Sequence, residues 1–278
     1  MVSNFAANAE TSKGLVKIES LDVDFGRQRV LRGIDLTISR GQTVSIIGES
    51  GCGKTVLLKT IIGLLSPSRG AVYFDGQNLA AMHEKELTRQ RIRFGFLFQQ
   101  AALFDSMTIA QNIAFPMRQH TQKSGEEIDR IISARLAEVG LPENVLVRKP
   151  AELSGGMRKR VGLARALALE PEIILYDEPT TVLDPIMSDV INELIVSTRR
   201  RHPVTSVIVT HDMRTAQKTS DRVVMLYPLE RLRENESQIL YDGEPSQIER
   251  SGDPRVTQFV RGEAGERLME MRKHNGKY

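Results

Sequence analysis

The stretch Thr43-Val-Ser-Ile-Ile47 followed by Gly48-Glu49-Ser50-Gly51-Cys52-Gly53-Lys54-Thr55 and Val56 decides the fold. Thr43–Ile47 reads as a short apolar strand, and unalternated runs of this kind are covered on both faces of a parallel sheet. Gly48–Thr55 matches the phosphate-binding P-loop pattern, placed after a strand and before a helix as that pattern requires. Its glycines let the backbone wrap tightly enough to point N–H groups inward, an anion nest at a helix N-terminus. Lys54 supplies positive charge for β and γ phosphates, and the Thr55 hydroxyl can ligate Mg²⁺. Val56–Leu65 has helical spacing and stops before Pro67. Cys52 lies inside the loop. A helix N-terminus would lower its pKa and make it reactive, but a small tolerated side chain is the preferred reading.

Outward from this loop the chain alternates. Val16, Ile18, Leu21, Val23 and Phe25, then Val30 to Ile38, predict antiparallel strands, and Ala71–Asp75 predicts another. The middle, about 103–168, reads as helical, with Ile128, Ile131, Ile132, Leu136 and Val139 at helix spacing before Gly140 and Pro142. Then β and α alternate: Glu172–Tyr176, Ile186–Arg199, Val204–Val209, Thr215–Thr219, Val223–Leu226. This order predicts an α/β core with an N-terminal antiparallel β subdomain and a helical subdomain. The domain expectation is a frayed 1–14, one catalytic domain over 15–262, and a tail over 263–278. Leu268, Met269 and Met271 suggest that the tail packs on a neighbouring subunit.

Composition excludes several classes. Across 278 residues, 40% apolar and 26% charged side chains are enough for a real core. The single cysteine rules out a disulfide framework or a multi-cysteine metal site. No apolar run approaches the roughly 18–20 residues of a membrane span. The opening MVSNFAANAE lacks the basic and apolar regions of a signal peptide, so an intracellular protein is expected. The 38 basic and 35 acidic side chains nearly balance, which gives no argument for nucleic acid. Arg89-Gln-Arg91-Ile-Arg93 reads as a solvated helix face or a contact with lipid head groups rather than a phosphate-backbone patch.

Two further motifs carry chemistry. Ile173-Ile-Leu-Tyr176-Asp177-Glu178 is a strand ending in two acids, at the sheet edge where ligands bind in α/β folds. Asp177 is placed to hold Mg²⁺ and Glu178 to act on an attacking water as general base. Leu153-Ser154-Gly155-Gly156-Met157 opens a helix whose face is Met157, Val161, Ala164 and Leu167. Its free N–H groups and hydroxyl form a second anion site, although serine alone also serves as a cap. One chain with two phosphate sites makes sense if the second serves a neighbouring subunit.

The ordered set of P-loop, Gln99, LSGGM, Asp177-Glu178, Pro179-Thr-Thr-Val-Leu-Asp184 and Thr210-His211-Asp212 resembles ABC-transporter ATPases from about Val16 to Gly262. The resemblance implies a head-to-tail homodimer with ATP and Mg²⁺ between the P-loop of one subunit and Ser154, Gly155 and Gly156 of the other. It implies adenine stacking by Phe25, whose alternative is a core residue. Gln99 would reach Mg²⁺ and the water, His211 would contact the γ-phosphate, and Asp184 would link the two sites. Lys54, Glu178 and His211 would be catalytic. Gly48, Glu49, Ser50, Gly51, Cys52, Gly53, Thr55 and Val56 would line the nucleotide.

Within that family, Phe98–Thr108, Asn112–Arg118, Met157 and Asp253-Pro-Arg-Val-Thr-Gln-Phe259-Val are similar to the ATPase of Mla-type (MCE-associated) bacterial phospholipid transporters. This implies an integral-membrane permease docked near Gln99–Arg118, an MCE lipid-binding protein in the complex, and a peripheral place on the cytoplasmic face of the inner membrane. Pro116 is expected to bend the docking helix. Import of a small polar solute is the first alternative. A soluble ATPase acting on nucleic acid is disfavoured because the chain has neither heptads nor cysteine pairs. A subunit without turnover is disfavoured by the presence of both Glu178 and His211. Departures are Thr181-Val182 where Ser-Ala is usual, Tyr176 before the acids, and a long charged loop over 228–238.

Overall fold

The computed structural model describes residues 14–264. The expectations for a frayed N-terminus and a tail packed on a neighbour fall almost wholly outside these residues.

The alternating segment forms two long antiparallel strands, β1 (Val16–Phe25) and β2 (Gln28–Ile38), joined by a tight turn in which Gly26 has φ +61°. The strand β3 (Thr43–Ile47) is buried at every position and runs into the helix α1 (Lys54–Ile61). That helix is shorter than its apolar spacing predicts. Gly63 takes φ +70°, a left-handed conformation suited to glycine that ends helices. Next come β4 (Arg69–Phe74), β5 (Gln77–Asn78), α2 (Glu84–Arg91) and β6 (Phe94–Leu97).

Three helices follow: α3 (Ile109–His120), α4 (Gly125–Glu138) and α5 (Gly155–Leu167). Thr108 and Ser124 open the first two with capping boxes, each hydroxyl accepting from a backbone N–H while Gln111 or Glu127 reaches back. The remaining elements alternate: β7 (Ile173–Asp177), α6 (Pro185–Arg201), β8 (Thr205–Val209), α7 (Met213–Thr219), β9 (Arg222–Leu226), β10 (Ile239–Gly243) and α8 (Pro254–Arg261).

The first sheet is antiparallel, in the order β2-β1-β4-β5. The second is ordered β10-β9-β3-β8-β7-β6, parallel except for β10 at its edge. One apolar core, including Ile18, Leu36, Ile46, Leu57 and Val207, lies between the two sheets and around α1. A second joins the face of β7 and β8 to the helical region, including Ile113, Leu136, Val161 and Ile191. Tyr176 is fully buried there, which accounts for an aromatic just before the two acids. This is an α/β P-loop core with an N-terminal antiparallel sheet and a helical subdomain.

The arginine run is a solvated face only in part: Arg89 is exposed, whereas Arg91 and Arg93 are half-buried. Arg91 donates to the Gly63 carbonyl at 2.6 Å and pairs with Glu84 at 2.9 Å. Arg93 bridges Glu172 at 2.6 Å and Asp75 at 2.7 Å, with its guanidinium 4.6 Å from the centre of the Phe74 ring. It therefore ties the first sheet to the start of β7, and Arg91 and Arg93 are engaged within the chain.

Pro116 lies inside α3 and deprives the Asn112 carbonyl of its helical partner, but the helix continues to His120. The Asn112 side chain is fully buried and organises the segment before the helix. Its carbonyl oxygen accepts from the Phe104 N–H at 2.8 Å, and its amide donates to the carbonyls of Phe104 and Thr108 at 3.1 and 3.0 Å. Asn112→Ala leaves several buried backbone groups unsatisfied. It is expected to lower the unfolding free energy by about 2–4 kcal/mol, which thermal or urea unfolding would measure.

Candidate active site

The parallel ladder sets the geometry. β8 lies between β3 and β7, with Ile46 opposite Val209 and Val209 opposite Asp177. The carboxyl ends of three adjacent strands therefore present Gly48–Thr55, Thr210–His211 and Asp177–Glu178 side by side, at the edge where α/β folds bind ligands.

The P-loop has the backbone that its glycines allow. Gly48 has φ +145° and Gly53 φ +96°. A Cβ on Gly48 would collide with the Leu226 carbonyl, and one on Gly53 would meet Leu31 and Val30, so β9 and β2 wall the loop closely. The buried Lys54 ammonium donates to the carbonyls of Gly48 at 2.8 Å and Glu49 at 3.0 Å. Cys52 is buried in the core against the loop, and burial pushes its thiol pKa up. The reactive-thiol option is thereby contradicted. Val56 packs on the same core, and Ser50 and Gly51 are exposed.

The Thr55 hydroxyl donates to Asp177 Oδ1 at 2.9 Å. Burial raises the Asp177 pKa, opposed by the Thr55 hydrogen bond and by Lys59 and Lys54. A hydroxyl and a carboxylate, both hard oxygen donors in a desolvated place, suit Mg²⁺. Among the described residues no cluster of three or more His, Cys, Asp or Glu side chains could hold a metal.

Glu178 is held in a constrained backbone, φ +48°, its N–H donating to the Val209 carbonyl at 2.8 Å. Its Oε2 lies 2.8 Å from His211 Nδ1 and accepts from the Thr181 hydroxyl at 2.9 Å. Thr181, one of the departures in the sequence, is thus a support for the carboxylate. No motif or spacing singles out Lys159. Its buried ammonium donates to the carbonyls of Glu178, Pro179 and Thr181 at 3.0, 2.7 and 2.9 Å. Burial lowers its pKa to about 8, with Glu178 and Asp177 pulling the other way. It clamps α5 onto the turn that carries Glu178.

The remaining residues fall in separate places. Phe25 is 49% exposed at the end of β1, so it is not a core residue. Gln99 is exposed just beyond β6 and hydrogen-bonds to neither Thr55 nor Asp177. Ser154 caps α5, its hydroxyl accepting from the Met157 N–H at 3.3 Å, and Gly156 is packed against Met187. Gly155 shares a cleft of about 590 Å³ with Gln99, Lys159 and Thr181–Leu183. No hydrogen bond among the described residues joins Ser154–Gly156 to the P-loop of the same chain. Asp184 caps α6, accepting from the N–H groups of Ile186 and Met187 at 2.9 Å each. Beside it Val182, a β-branched residue at φ +67°, is 95% exposed, and Ile186 is 77% exposed.

Known proteins place this arrangement. Residues 31–181 match the family model described as ABC transporter. The chain is 40% identical over 247 residues to the "Probable ribonucleotide transport ATP-binding protein mkl" of Mycobacterium tuberculosis, covering 89% of this chain and 66% of that protein. It is 36% identical over 253 residues to the intermembrane phospholipid transport system ATP-binding protein MlaF of Haemophilus influenzae, covering 91% of this chain and 92% of MlaF. The fold superposes on the dimeric post-hydrolysis structure of the ATP-binding cassette MJ0796 bound to ADP and Pi, with TM-score 0.73 and 32% identity over 83% of this chain and 98% of that one. With a P-loop, a strand-end acid pair and a capped Ser-Gly-Gly helix in this fold, the chain belongs to the ABC transporter family as an ATP-binding, ATP-hydrolysing subunit.

Proposed function

We propose that this subunit drives phospholipid transport between membranes, as a homodimer under an integral-membrane permease. The supporting observation is the match to MlaF, which spans 92% of that protein and so includes the segment after the P-loop core. The mkl relatives favour a second reading, ribonucleotide transport. They are somewhat more identical, but this chain spans only 66% of their length.

The residues support the following chemistry. Backbone N–H groups of Gly48–Thr55 and the Lys54 ammonium bind the polyphosphate, and the exposed Phe25 stacks on adenine. Thr55 and Asp177 would hold Mg²⁺, with Gln99 reaching it from the turn after β6; bound there, the ion would neutralise charge on the β and γ phosphate oxygens. Glu178 orients a water in line with the γ-phosphorus and takes its proton. The new P–O bond forms as the β–γ bridge bond breaks, and ADP leaves with the electron pair beside Lys54. His211 moves from Glu178 Oε2 to the γ-phosphate. Ser154, Gly155 and Gly156 of the partner close the site with a hydroxyl and helix N-terminal N–H groups. Exposed Val182, Ile186 and Val190 supply apolar surface for that partner, and Asp184, between the first two in sequence, would link the two sites of the dimer.

The permease docks in a groove of about 280 Å³ bounded by Phe96, Phe98, Phe104, Phe115, Pro116 and Arg165. Phe96 stacks on Phe98 and Phe104 packs on Phe115, with ring centres 4.1 and 4.7 Å apart. Arg165 fixes the loop before it by donating to the carbonyls of Ala101 and Ala102. An MCE protein on the far side of the permease completes the assembly, and the subunit sits peripherally on the cytoplasmic face of the inner membrane. No helix in the described residues is long and apolar enough to cross it.

Three outcomes test these roles. Glu178→Gln should retain ATP binding while phosphate release falls at least about 100-fold, as loss of a general base does; turnover above a tenth of the wild type would remove Glu178 from the role. Phe104→Ala should abolish permease co-purification with ATP binding intact; unchanged co-purification and ATPase stimulation would move the docking site elsewhere. Tagged complex from native membranes should carry a permease, an MCE protein and phospholipid by mass spectrometry. A permease with bound ribonucleotide and no lipid would favour the second reading.

A further inference from the structure

Residues 228–238, between β9 and β10, are too long for a hairpin and do not protrude as a free loop. The Tyr227 N–H donates to the Gln238 carbonyl at 3.0 Å, closing the loop at its base. The Gln238 side chain is only 1% exposed. Its amide donates to the Cys52 carbonyl inside the P-loop at 3.2 Å and to the Val30 carbonyl on β2 at 3.1 Å, and its oxygen accepts from the Arg32 N–H at 2.9 Å. The Arg32 guanidinium in turn donates to the carbonyls of Arg233 and Glu236 at 2.8 and 2.9 Å.

One charged contact stands out. Arg231 Nη1 donates to Glu49 Oε1 at 2.8 Å, and the two side chains are only 19% and 20% exposed. Glu49 is the second residue of the P-loop, so the loop that admits a polyphosphate carries a negative charge of its own. A guanidinium on that carboxylate cancels the repulsion, and the partial burial of the pair keeps salt from doing so. Arg231 is itself held: it reaches the Tyr227 hydroxyl at 3.3 Å and lies 5.7 Å from the centre of that ring. Arg255 of α8 lies 5.3 Å from the same ring. It pairs with Asp253 at 2.7 Å and with Glu236 of the loop at 3.4 Å. The Asp253-Pro-Arg255 segment is therefore joined to the nucleotide loop through Tyr227 and Arg231.

We propose that residues 228–238 form a strap across the P-loop in which Arg231 neutralises Glu49 beside the polyphosphate, with Asp253 and Arg255 holding the strap from α8. Arg231 is a positioning residue for ATP binding. It acts through Glu49 and takes no part in bond cleavage.

Calorimetric titration of ATP into the full-length chain tests this. Arg231→Ala should weaken ATP binding by about 5- to 30-fold, the factor that about 1–2 kcal/mol of uncovered repulsion from Glu49 gives. Arg231→Lys should stay within about threefold of the wild type, because it keeps the charge without the fork. Adding Glu49→Gln to Arg231→Ala should restore binding to within about twofold, because the repelling charge is gone. A merely structural arginine would leave the double variant as weak as the single one. Unchanged binding by Arg231→Ala, or failure of Glu49→Gln to restore it, would overturn the proposal. A melting curve of each variant separates either result from unfolding.

Discussion

The ladder that joins β3, β8 and β7 sets Ile46 beside Val209 and Val209 beside Asp177, and the catalytic apparatus depends on that alignment. A one-residue slip would turn each strand's side chains to the opposite face. Here it would part the Thr55 hydroxyl from Asp177, now 2.9 Å away, and Glu178 from His211, now 2.8 Å away. Burial on both faces prevents the slip, because every residue of the three strands is buried. The same burial raises the Asp177 pKa, against the pull of the Thr55 hydroxyl and of Lys59 and Lys54.

Around this ladder, the turns that carry chemistry are held by side chains from other elements. Lys159 places three hydrogen bonds from α5 on the turn after Glu178, and Thr181 holds the Glu178 carboxylate. Gln238 and Arg231 do the equivalent for the P-loop from the far edge of the sheet. These ties matter because both turns are strained or glycine-dependent. Glu178 and Val182 have positive φ without being glycine, and Gly48 leaves no room for a side chain. α5, which starts at the Ser-Gly-Gly segment, is thereby bound to the turn that carries Glu178 in its own chain, while the role proposed for that segment is in the site of a partner.

The legible part of this molecule was the part written in local pattern. Gly48–Thr55 between a strand and a helix, the strand ending in Asp177-Glu178 and the capped Ser154 each name their structure through spacing and turn chemistry, and all lie where that spacing puts them. Boundaries were less legible: α1 stops at Ile61 because Gly63 turns left-handed, which apolar spacing does not reveal. Contacts between distant segments were not legible at all. Nothing in Arg89–Arg93 announces that Arg93 bridges Asp75 and Glu172, and nothing in 228–238 announces a buried Gln238 more than 180 residues from its partner Cys52. The Cys52 thiol reads as activated from its place at a helix start, but the core behind the loop decides its pKa.

The central claim is that each nucleotide site is completed by a second copy of the chain. Its most direct test is a short thiol cross-link between differently tagged copies, one carrying Ser50→Cys in the P-loop and the other Ser154→Cys at the start of α5. Both positions are exposed, and the native Cys52 is buried and does not compete. The expected result is a mixed cross-linked dimer that forms with ATP and not without it. A chain carrying both substitutions that links to itself as a monomer, or mixed copies that never link in ATP, would contradict it.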